Sequence, residues 1–131
     1  MMENNSEWIH SILPEKPSEN NISQQQKTAY NEEFILKTQQ QINKDFAKFN
    51  LEFRESFTLE PWTKAEIELA IEENLVISIK MGETKLMQLL YTIDIPEQTF
   101  LSLTQEKDFI QLLSQAILKR EAMKVFFRSK F

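Results

Sequence analysis

The sequence predicts a small, mainly α-helical bundle carried behind a flexible N-terminal arm, and three observations predict it. Apolar residues recur at helical spacing in several segments of the 131-residue chain, the only glycine is Gly82, and residues 14–27 form a polar tract broken by Pro14 and Pro17. Sheet-rich folds call on glycine in turns and bulges, whereas short connections between helices manage without it. With 41% hydrophobic residues the chain can bury a core. At this length one core means one domain, expected over residues 28–131.

The arm comprises residues 1–27. Its tract "PEKPSENNISQQQK" offers too little apolar surface to offset the entropy of ordering it. In front of it Trp8, Ile9, Ile12 and Leu13 share one side of a short helical segment. A helix of that length is not stable by itself. The four side chains therefore read as a hydrophobic anchor, docking either on this domain or in a groove of another chain.

In the domain, Phe34, Ile35, Ile42, Phe46 and Phe49 line one side of a helix expected from about Thr28 to Phe49. "LEFRESFTL", residues 51–59, alternates Leu51, Phe53, Phe57 and Leu59 with polar residues, as a half-buried strand does. Pro61 and Trp62 open the next element, in which Thr63 can cap and Glu66 stands at the partner position of a capping box. "LVISIKM", residues 75–81, fits two descriptions. Ile67, Ile71, Leu75 and Ile79 continue a helix at four-residue spacing, while β-branched enrichment and alternation suit a strand. An α+β domain with strands near 51–59 and 75–81 is thus the alternative to the bundle. Gly82 ends either element.

Leu86, Leu89, Leu90 and Ile93 form the next helical stripe. Pro96 suits the first turn of a short helix bearing Phe100, Leu101 and Leu103, with Asp94 read as its cap and Tyr91 as a core-edge aromatic. Thr104 is placed to cap a long last helix whose inner edge carries Phe109, Leu112, Leu113, Ala116, Ile117 and Arg120.

The chemistry is defined largely by what is missing. The chain has no cysteine, and His10 is its one histidine. A disulfide framework and a thiolate metal site are thereby excluded, the place of His10 in the arm, the segment least expected to be rigid, argues against a Ser–His–Asp triad, and a lone glycine rules out a glycine-rich phosphate loop. The expectation is a non-catalytic protein with neither cofactor nor metal. Glu66, Glu68, Glu72 and Glu73 read as a solvated helix face, with Lys64 and Glu68 as an i,i+4 pair.

Charge divides along the chain. Residues 61–104 hold seven acidic against three basic side chains, residues 105–131 three against six, and the whole chain carries −5. The basic tail places Lys119, Arg120, Lys124, Arg128 and Lys130 among Phe126, Phe127 and Phe131. Those cations are candidate anion-binding residues, although cations at a helix C-terminus also complement its dipole and Glu121 can pair with Lys124.

The sequence therefore points to a small protein-interaction, adaptor or assembly component whose partner is another protein chain, itself included. The contacts are assigned to Trp8, Ile9, Ile12 and Leu13 in the arm and to Phe126, Phe127 and Phe131 in the tail. A regulator that grips nucleic acid through the basic last helix is the alternative. "MMENNSEW" lacks the basic and apolar regions of a secretory signal, and no apolar run approaches the length of a membrane span, so the cytoplasm is the expected location.

In a Trp62→Phe protein, Trp8 fluorescence is expected to be blue-shifted either in the isolated chain or on addition of the native partner. Water-like emission in both states, with no effect of deleting residues 1–13 on stability, would count against the anchor.

Overall fold

The structure, a computed structural model, describes residues 24–130, with side-chain surroundings from Asn31 to Arg128. The anchor residues Trp8, Ile9, Ile12 and Leu13 lie outside the described residues. Among the described residues five α-helices follow in order: α1 Gln24–Ala47, α2 Lys64–Met81, α3 Glu83–Ile93, α4 Glu97–Leu103 and α5 Phe109–Lys130. No strand occurs among the described residues, and the protein is a small helical bundle. Helix α1 starts four residues ahead of the boundary expected at 28, because Gln24, Gln25 and Gln26 are sound helix formers and join the periodic segment.

The core is continuous. Ile42 and Phe46 of α1, Ile67, Ile71 and Leu75 of α2, Leu89, Leu90 and Ile93 of α3, and Leu113 and Ile117 of α5 are almost wholly removed from water. Helix α5 packs against both α1 and α2, α3 rests on α2, and α4 leans on α5. Antiparallel pairing of α1 and α5 is visible in their polar contacts, since Lys124 meets Asp45 while the later Arg128 meets the earlier Gln41.

The strand expected over 51–59 is not formed. Its residues make an extended approach and a 3₁₀ turn, Glu55–Thr58. A strand needs a neighbour to complete its ladder, and the other candidate, residues 75–81, continues α2 as helix. The carbonyls find other donors. Gln39 Nε2 of α1 donates to Phe57 O at 2.8 Å and Glu60 O at 3.0 Å, and its Oε1 accepts from Trp62 N at 2.7 Å. Gln40 Nε2 donates to Thr58 O, and Asn74 Nδ2 of α2 donates to Glu52 O. The alternation of Phe53 and Phe57 serves a stack: Phe53 and Phe57 lie parallel at 4.3 Å, with Phe46 edge-on at one end and Trp62 at the other.

The capping box at α2 is present as expected, Thr63 Oγ1 accepting from Glu66 N while Glu66 Oε1 accepts from Thr63 N. Those two Thr63 interactions, backbone first, hold the Glu66 carboxyl below its ordinary pKa. Gly82 sits between α2 and α3 at φ +118°, a conformation open to glycine and strained for other residues. Two capping assignments change. Asp94 does not cap α4; it ends α3 in the left-handed region at φ +78°, its N–H donating to Leu90 O, a role that short polar side chains tolerate. Thr104 likewise ends α4, and α5 begins only at Phe109. Tyr91, expected at the edge of the core, is 86% exposed.

Gln39 is fully buried and holds three backbone groups. Gln39→Leu is expected to destabilise by about 2 kcal/mol or more in urea, because a buried donor or acceptor left unmet costs about 1–3 kcal/mol. Exposed Gln40→Ala should cost less than about 0.5 kcal/mol. Similar losses from both would show that Gln39 is no clamp.

Candidate protein-docking groove

Helix α2 is apolar on more than one side. Its inner face carries Ile67, Ile71, Asn74, Leu75 and Ser78, all buried. The four-residue spacing that seemed to continue through Ile79 overshoots: at 3.6 residues per turn, three such steps rotate the position by about 120°. Ser78 therefore takes the inward place and Ile79 is exposed. On the outer face a second stripe emerges, with Leu69 57%, Val76 43% and Ile77 50% exposed at i, i+7 and i+8.

This stripe continues into a concavity of about 800 Å³ between α2 and the segment leading into it. Phe53, Trp62, Leu69, Ala70 and Ile77 supply its apolar lining. Glu52, Glu60, Glu66 and Glu73 also line it, with Arg54 as the one cation among the lining residues. Trp62 and Phe53 are held there by the aromatic stack and, through the backbone of residues 52–62, by Gln39 and Asn74. The expected solvated face over Glu66, Glu68, Glu72 and Glu73 thus divides: Lys64 pairs with Glu68 at 2.7 Å as read, and Glu66 and Glu73 belong to the groove. Sequence reasoning did not single out this site. The available signal was the apolar content of α2 on both sides, which a helix with one buried face does not need.

The predicted tail residues are placed differently. Phe126 lies in the core at 6% exposure, so its ring is not open to a partner as had been expected. Phe127, its edge-on neighbour, is exposed. Lys124 Nζ is not a free anion-binding group: it donates to Asp45 Oδ2 at 3.0 Å and Thr92 O at 2.9 Å, and meets Glu121 Oε1 at 3.3 Å. Arg120 pairs with Asp94 at 2.6 Å, and Arg128 donates to Gln41 Oε1 at 2.7 Å. Lys119 is exposed. The side chains of Lys130 and Phe131 lie outside those described.

These contacts form a polar seam between α1 and α5. Glu121 is fully buried, and neither of its oxygens accepts a hydrogen bond. Burial, then the hydrogen bond and repulsion from Asp45, push its carboxyl up to about 9 against the opposing influence of Lys124. A carboxyl so raised keeps its proton at neutral pH, beside the Asp45 carboxylate. Burial acts upward on Asp45 too, yet hydrogen bonds from Glu121, Lys124 and Gln41 and the Lys124 charge outweigh it and hold that carboxyl below its usual range. One anion, one cation and one neutral acid are left in the seam, a balance a low-dielectric site can hold.

Among the described residues no three His, Cys, Asp or Glu side chains come together as a metal-ligand set, and no helix is long and apolar enough to cross a membrane. Compared with known proteins, the chain matches no family model, no curated protein and no solved structure. The class that fold and site define is a helical bundle with an open groove in which an apolar floor meets an acidic rim.

The seam makes stability depend on pH. Glu121 has a raised folded-state pKa, so between its ordinary value of 4.5 and about 9 the folded chain binds the extra proton. Its contribution is complete below 4.5 and is lost as pH rises through that window. Asp45, with a lowered pKa, acts oppositely, contributing above its ordinary value of 3.8 and losing that contribution as acid protonates it. Urea stability is expected to fall by about 1 kcal/mol or more from pH 5 to pH 9, and Glu121→Gln should flatten the decline. An unchanged slope in the variant would show that Glu121 is ionised in the fold.

Proposed function

We propose that the protein is a non-catalytic interaction module, an adaptor or assembly component that holds a helix of another protein chain in the groove beside α2. The observation that carries this reading is the outer stripe of Leu69, Val76 and Ile77 running into the pocket lined by Phe53 and Trp62. Scattered apolar side chains are ordinary on a surface, whereas a contiguous apolar strip with a polar rim marks an interaction site. Aromatic anchors in a preformed concavity are the residues that dominate binding energy at protein interfaces. The cytoplasm is the location that belongs with this proposal.

The contacts first assigned to the tail move accordingly. Phe127 remains exposed, but Phe126 supports the core, and the groove lies on α2. The rival reading, a grip on nucleic acid through α5, gains no support from the geometry. Arg120, Lys124 and Arg128 already serve Asp94, Asp45 with Glu121, and Gln41.

A photo-crosslinking residue at position 69 is expected to give a discrete adduct with another protein in the native cell, and Ile77→Glu should remove it. The same residue at exposed position 119, on α5, should give none. No adduct at 69, or equal adducts at both positions, would reject the groove as the docking site.

A further inference from the structure

We infer that the occupant of this groove is a basic amphipathic α-helix, a deduction that rests on the docking reading above. The backbone beside the groove decides helix against strand. An extended peptide binds by adding hydrogen bonds to an open edge, but the carbonyls of Glu52, Phe57, Thr58 and Glu60 already accept from Asn74, Gln39 and Gln40. With those four taken and the segment turning into the 3₁₀ helix Glu55–Thr58, no continuous strand edge runs along the groove, and the occupant that fits satisfies its own backbone. A helix does so.

Charge decides the sequence of that helix. Glu52, Glu60, Glu66 and Glu73 line the groove against Arg54 alone, and all four are exposed. Among the described residues, none of the four takes part in an ion pair. Such a rim repels anionic ligands and favours lysine or arginine flanking the apolar anchors. The lining of α2 from Glu66 to Ile77 runs roughly 16 Å at 1.5 Å per residue. That is about three helical turns, enough for anchors at i, i+3 or i+4, and i+7.

The test uses the full chain and two labelled synthetic peptides of about 18 residues, each about 27 Å long as a helix. Both carry leucine at i, i+3, i+4 and i+7; one has lysine at the polar positions and the other glutamate. By fluorescence anisotropy the lysine peptide is expected to bind about tenfold more tightly or better at ~0.05 M salt, with the advantage falling to about threefold or less near 0.5 M. Glu60→Gln with Glu73→Gln should shrink the advantage similarly, and Leu69→Ser should abolish binding of both peptides.

Equal binding of the two peptides, lost in Leu69→Ser, overturns the basic occupant and leaves the docking reading standing. Binding of neither, or binding indifferent to Leu69→Ser, overturns both. A concentration-dependent dimer in ultracentrifugation that Leu69→Ser dissociates would make a second copy of this chain the occupant, and the inference would fall. Circular dichroism of the variants checks that each is folded.

Discussion

The segment between α1 and α2 has to satisfy its backbone without a neighbouring strand, and the groove depends on how it does so. Gln39 reaches from α1 and takes two carbonyls and one amide of that segment at once. Asn74 takes a further carbonyl from the α2 side. Buried amide side chains are costly unless every polar atom is met, and here the match is mutual. The loop supplies what the glutamine needs, and the glutamine fixes the loop. Phe53 and Trp62 are thereby presented to the α2 surface rather than left to collapse elsewhere.

Packing and polarity cooperate in the same place. The aromatic file from Phe46 through Phe53 and Phe57 to Trp62 connects the middle of the bundle to the groove without a break. Stacked and edge-on rings restrict one another's rotation, so the apolar lining is largely preformed. A preformed lining lowers the ordering cost of a docking partner. The opposite side of α1 is held differently, through the seam in which Asp45, Lys124 and neutral Glu121 join it to α5. Breaking one member there would strand the others in a poorly solvated site.

Much of the fold was legible because it follows from local rules. The periodicity of the 86–93 stripe, the Thr63–Glu66 capping box and the Gly82 stop are each set by a few adjacent residues, and all three are found in the structure. The inner edge assigned to α5 contains Leu113 and Ile117, which are fully buried. Less legible were the features in which a residue has two locally acceptable uses. Asp94 can cap a following helix or end a preceding one in the left-handed region, and the pull of Arg120 from α5, 26 positions further along the chain, accompanies the second. Alternation in 51–59 resembles a strand from within the segment, but a strand exists only with a partner.

By itself the sequence determined the helical class, the positions of most helices, the core residues of α3, Leu113 and Ile117 in the core of α5, and the absence of cysteine and glycine-loop chemistry. Those properties are carried by near neighbours, through spacing, propensity and composition. Tertiary structure alone decided that Ser78 rather than Ile79 completes the inward face of α2, that Lys124 and Phe126 are enclosed, and that Phe53, Trp62, Leu69 and Ile77 meet as one groove. Each of those outcomes depends on contacts between residues far apart in the chain. A helix apolar on two sides leaves the use of its second stripe open, because that use follows from how the other elements pack beside it.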